Sequence, residues 1–164
     1  MEFFSWIENL GFSVWLRESG SIWAFPMFLF GHTLGMSIVA GGSTLISFAL
    51  IGLWPKGAPI KPLEKMYPLI WAAFVLNTIT GVALFCADAQ TRAANWDFWI
   101  KLVLVFVGVI VLARMRKNVF GNPALDNGPV PSDARTLALA SLVCWFGAIC
   151  AGRLIAYVGP VAGL

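Results

Sequence analysis

His32 is the only histidine in the chain, and it stands inside an apolar stretch running from Ile22 to Trp54. An imidazole is costly to hold within a bilayer, so it marks either a ligand site or a deliberate contact between helices. A second ionisable group, Arg153, lies within another apolar span near the C-terminus. Lys101 opens a third span, and Cys86 and Asp88 close the one before it. Helical spacing places Phe28, Leu29, Gly35 and Met36 on the face of His32, and Phe146, Cys150 and Tyr157 on the face of Arg153. Where those two faces meet, an imidazole, a guanidinium and a phenol would line one pocket.

That residue set suits a flat, amphipathic cofactor with acidic tails. Haem b is the first candidate: His32 would ligate iron, while Arg153, Tyr157 and Lys101 would neutralise the propionates near the interface. A second axial ligand cannot be another histidine, and Met27 and Met36 share a helix with His32. It would come from Cys86 or Cys150, from another subunit, or from nothing. A quinone asks only for a hydrogen-bond donor at each carbonyl. Cu(I) is the competing metal, since His32 and Met36 at i and i+4 present a nitrogen and a thioether together. The bland alternative is that each polar group simply joins two helices, as in an accessory subunit of a larger membrane complex.

These residues need helices to position them. Of the 164 residues 59% are hydrophobic and 12% charged, about half the charge of a soluble domain, so the fold expected is an all-α transmembrane bundle. Residues 2–17 alternate Phe3, Ile7, Leu10 and Val14 with polar groups at helical spacing, which predicts an interfacial amphipathic helix within a segment 1–20. Four spans follow in 21–164, at about 22–53, 67–87, 98–114 and 136–158, each near the roughly 20 residues a bilayer requires or longer. Pro26 near the start of the first allows a kink, a tilt or an extension beyond the membrane. Trp54-Pro55-Lys56-Gly57 ends that span, and Gly121-Asn122-Pro123 punctuates the loop after the third.

Charge distribution gives the orientation. Lys56, Lys61 and Lys65 lie between spans one and two, and Arg114, Arg116, Lys117 and Arg135 between spans three and four. The positive-inside rule makes both loops cytoplasmic and both termini external. The unusual polar residues then converge on the outer half of the membrane. The N-terminus, opening on Glu2 without a basic region, does not read as a cleaved signal peptide. Cys86, Cys144 and Cys150 have no paired spacing and read as buried thiols. No span contains a carboxylate, which argues against a proton relay built on intramembrane acids.

Small residues supply the packing signals. Gly31 and Gly35 form a GxxxG step, Gly41-Gly42 follows two turns on, and Ala148 and Gly152 give span four a similar face. Such faces also make pairing with a second copy or a larger complex an expectation. Asn77, Thr78 and Thr80 read as hydrogen-bonding groups between helices.

The run His32-Thr33-Leu34-Gly35-Met36-Ser37-Ile38-Val39-Ala40-Gly41-Gly42 resembles a membrane helix of the bacterial copper-resistance D-like proteins, where a histidine precedes a Gly-Gly pair by this interval. Gly152-Arg153 is similar to a dipeptide near the end of the last span in small bacterial four-span families related to that group. The resemblance covers one helix and a dipeptide. It implies a four-helix bundle of the bacterial inner membrane with a haem or copper connection. The chain departs from b-type cytochromes in lacking their paired histidines.

Overall fold

The residues from Phe25 to Ile51 include no Asp, Glu, Lys or Arg, and they form the longest helix among the described residues. A computed structural model describes residues 2–55, 58–122, 132–155 and 157. Among the described residues there are seven α-helices: α1 (Glu2–Glu8), α2 (Gly11–Glu18), α3 (Phe25–Ile51), α4 (Tyr67–Cys86), α5 (Ala89–Ala94), α6 (Trp96–Met115) and α7 (Ser132–Leu154). A 3-10 helix, Lys61–Met66, leads into α4, and a π-helical turn, Arg116–Phe120, extends α6. Four helical segments are long and apolar enough to cross a membrane: Phe25–Ile51, Lys61–Cys86, Trp96–Phe120 and Asp133–Leu154. The chain is an integral membrane helical bundle.

Local chemistry sets the ends of these helices. Pro26 sits in the first turn of α3, where its missing N–H costs no hydrogen bond, so it causes no kink. Gly52 at φ +94° ends α3 in the left-handed conformation that glycine adopts without strain. Asn95 caps α6, its side-chain oxygen accepting from the Asp97 N–H at 2.8 Å. The turn through Lys56 and Gly57, the residue Pro123 and the expected close of the last span at 158 lie outside the described residues.

The segment expected as one amphipathic helix is two. Asn9 and Leu10 separate α1 from α2, and the Ser13 hydroxyl donates back to the Ile7 carbonyl at 2.8 Å across the break. The pair lies over one end of the bundle. Leu16 of α2 is fully buried with Ala24, Ala83 and Ala87, and Arg17 donates to the Ala87 carbonyl at 3.2 Å. From α1, Glu8 accepts from both the backbone N–H and the side-chain amide of Gln90, each at 2.7 Å. This amphipathic end carries the exposed indoles Trp6, Trp15, Trp23, Trp96 and Trp99, the residue type that gathers at membrane–water boundaries.

Packing within the bundle follows the small residues. A Cβ on Gly35 would stand 2.8 Å from the Ala73 carbonyl oxygen, so the α3 and α4 backbones meet only because Gly35 has no side chain. Gly108 of α6 similarly admits the buried indole of Trp145 from α7. Helix α3 thus packs on α4 and α7, and α7 on α6, whereas α4 and α6 are linked chiefly through the short elements at their two ends. The main core runs through all four spans, with Ile46, Leu50, Tyr67, Ile70, Leu112, Met115 and Trp145 at its centre.

Candidate functional site

His32 lies two turns into α3, about 10 Å along the axis from its start at 1.5 Å per residue. Two reciprocal hydrogen bonds tie it to α4. The imidazole Nδ1 is 2.9 Å from the Asn77 carbonyl oxygen, and the Asn77 amide donates to the His32 carbonyl oxygen at 2.7 Å. A carbonyl oxygen can only accept, which assigns the ring proton to Nδ1 and leaves Nε2 with its lone pair. Gly81 provides the floor. A Cβ there would stand 2.9 Å from Cε1 of the ring, so any larger residue would displace the imidazole.

The lone pair on Nε2 faces Lys101 of α6, whose Nζ lies 3.3 Å away. Lys101 is half-buried and extends beneath Gly152 of α7, where an added Cβ would come within 3.4 Å of Nζ. No carboxylate comes within ion-pair distance of Lys101 among the described residues. A lysine near the end of a span would be expected to snorkel into water. Here the stem turns inward, and the imidazole is the partner it finds. His32 and Lys101, which sequence spacing alone could not pair, are therefore joined, and all four spans contribute to the site.

The second face expected at the site is absent from it. Phe146, Cys150, Arg153 and Tyr157 are all exposed, and the buried face of α7 is instead Ala134, Ala138, Ser141, Trp145 and Ala148. The reason is that a membrane helix is apolar all round, so hydrophobicity does not select the inward side, and small residues do. Gly152 meets the site in place of Arg153. Met36 packs against the main core, one turn from His32. The described residues hold no cluster of three His, Cys, Asp or Glu side chains able to take a metal between them.

Of Asn77, Thr78 and Thr80, the groups expected to link helices, Asn77 does so strongly and Thr80 through a long contact to the imidazole. Thr80 donates within its own helix, to Leu76 at 2.7 Å, and its oxygen also lies 3.5 Å from His32 Nδ1. Thr78 is exposed and donates to the Phe74 carbonyl of α4 itself. Gly81 was missed. A glycine five residues before the end of a span, one turn beyond Asn77, is the only sign the sequence gives.

Chemically, the site offers one imidazole lone pair, fixed by the bonds to α4, and one lysine head group on a flexible stem, both in low-dielectric surroundings. No protein-family model, curated protein or solved structure matches this chain.

Proposed function

We propose that this chain is a cofactor-binding membrane protein, that His32 and Lys101 meet the cofactor, and that the cofactor is a haem b with a redox-linked role. One observation carries the reading: the Nδ1–H of His32 is donated to a backbone carbonyl, so Nε2 keeps its lone pair beside a lysine that has no carboxylate partner among the described residues. Histidines that ligate metals commonly anchor the opposite ring nitrogen in this way. Lysine without an acid partner is suited to an acidic group of the ligand, because an uncompensated cation in an apolar interior is costly.

The fit has one condition. Lys101 and iron would compete for the same lone pair, so the flexible lysine stem would have to yield Nε2, which frees its ammonium for a propionate. Haem supplies one-electron chemistry at iron when bound. The chain's own part is to fix the tautomer of His32, to hold the ring on Gly81 and to balance acidic charge with Lys101. With one histidine, each copy would supply a single imidazole to the group, and any further protein ligand of that type would have to come from a second copy. The likeness of His32–Gly42 to a copper-resistance D-like helix is in keeping with a haem or copper connection.

The deciding measurement is the absorption spectrum of detergent-purified protein, oxidised and then dithionite-reduced, after expression with ample haem. A Soret band is expected, lost in His32→Ala while helicity by circular dichroism is retained. Lys101→Met is expected to keep the band and weaken haem retention. A featureless spectrum, or an unchanged one in His32→Ala, would sink the haem assignment. Copper found by metal analysis would then support ligation by His32 and Met36. A bound quinone in the organic extract would instead support donation from Lys101 to a carbonyl.

A further inference from the structure

At the end of the bundle opposite α1 and α2, two adjoining grooves of about 600 and 510 Å³ run between the start of α4 and the end of α6. Glu64 and Arg116 line both, Lys65 lines the first, and Trp71 and Lys117 line the second. Lys65, Arg116 and Lys117 are exposed, and the guanidinium of Arg116 rests 5.8 Å above the ring of Tyr67. That cation–π contact holds it at the groove wall and keeps its hydrogen-bonding edge available. Among the described lining residues Glu64 is the single carboxylate, so cations outnumber it.

We infer that this groove binds the headgroup of an anionic glycerophospholipid. Charge complementarity is the first argument: a phosphodiester matches the planar fork of Arg116, with Lys65 and Lys117 beside it. Position is the second. The groove sits at the ends of two segments long and apolar enough to cross a membrane, where a bilayer's phosphates would lie, and Trp71 lines it as an interfacial aromatic would. The third is the seam below. Helices α4 and α6 make little direct contact along their length, and exposed Pro68 and Ala113 border the opening between them, so acyl chains can lie directly beneath the headgroup. Free phosphate would use the cations but gain nothing from the seam. Glu64 disfavours a doubly charged phosphomonoester and can accept from hydroxyls of a glycerol headgroup.

The test is native mass spectrometry of the full chain in detergent, titrated with dioleoylphosphatidylglycerol or dioleoylphosphatidylcholine. Retention of the glycerol lipid is expected to exceed that of the choline lipid several-fold. The triple variant Lys65→Gln, Arg116→Gln, Lys117→Gln should erase that preference, and Arg116→Lys should keep part of it. Arg114→Gln with Arg135→Gln, exposed cations of the same end that line neither groove, should leave it intact. An equal loss in that control pair would overturn the site in favour of diffuse charge. Equal retention of the choline lipid would overturn the anionic selectivity, and displacement of the glycerol lipid by millimolar inorganic phosphate would make free phosphate the ligand.

Discussion

A histidine inside a membrane can present either ring nitrogen, and the choice made by His32 decides what it can do. Donation from Nδ1 to the Asn77 carbonyl leaves Nε2 as the acceptor for Lys101, and the sequence contained only half of this. That His32 and Asn77 were polar groups of interest was legible, because each interrupts an apolar run. That Lys101 turns inward was not, because a lysine five residues into a span looks the same whether it reaches water or a neighbour. Since His32 is the only histidine, the tautomer is directly observable. Solid-state NMR of protein labelled with ¹⁵N-histidine is expected to show one imidazole with Nδ1 protonated and Nε2 bare. Lys101→Met should move the Nε2 resonance and leave Nδ1 almost unchanged. A ring protonated at Nε2 alone would contradict the arrangement. Asn77→Leu removes the amide that donates to the His32 carbonyl but keeps the backbone oxygen that accepts from the ring. It is expected to destabilise the bundle by about 0.6–1.7 kcal/mol, from the average to the maximum found for hydrogen bonds between membrane helices, as read by unfolding in mixed micelles.

Between helices, the glycines divide into those that carry a contact and those that do not. A Cβ on Gly35 would meet the Ala73 carbonyl oxygen at 2.8 Å and the Asn77 backbone nitrogen at 3.0 Å, and backbone cannot step aside. Gly41, one member of the Gly-Gly pair, has nothing within 4 Å of such an atom. Gly35→Ala should therefore force α3 and α4 apart at a cost of about 1–3 kcal/mol, as overpacked cores show. Gly41→Ala should be neutral or stabilising by up to about 1 kcal/mol, the helix preference of alanine over glycine. Equal thermal shifts for the two variants in detergent would mean that the α3–α4 seam is not built as described. The four spans themselves were legible, because long apolar runs admit few alternatives. Which face of α7 turns inward was not, since Phe146 and Trp145 are both large and apolar and only one is buried. The break at Asn9–Leu10 was signalled weakly by Gly11, and the amphipathic spacing that runs across it concealed it.

The molecule as a whole is polarised along the bundle axis. Lys61, Lys65, Arg114, Arg116, Lys117 and Arg135 stand at the end where α4 begins and α6 finishes. At the opposite end Arg17 and Arg92 are matched by Glu18 and Asp88, and Glu8 is held by Gln90. Membrane insertion retains clustered Lys and Arg on the cytoplasmic side, so the amphipathic end and the His32–Lys101 site should face outward. Both the start of α3 and the end of α7 lie at that end, which places them on one side of the membrane whichever way the bundle is inserted. Single cysteines in a background lacking Cys86, Cys144 and Cys150 read the orientation directly. In intact cells Ser19→Cys is expected to react with a membrane-impermeant maleimide, and Asn118→Cys only after lysis. The reverse pattern would put the site on the cytoplasmic side. Reversing the sign of the cluster supplies the causal test. Replacing Arg114, Arg116 and Lys117 with glutamate should redistribute labelling toward Asn118→Cys, because those charges lie within a few residues of a span end, where insertion reads them most strongly. Unchanged labelling in that variant would assign the orientation to the remaining cations, Lys61, Lys65 and Arg135.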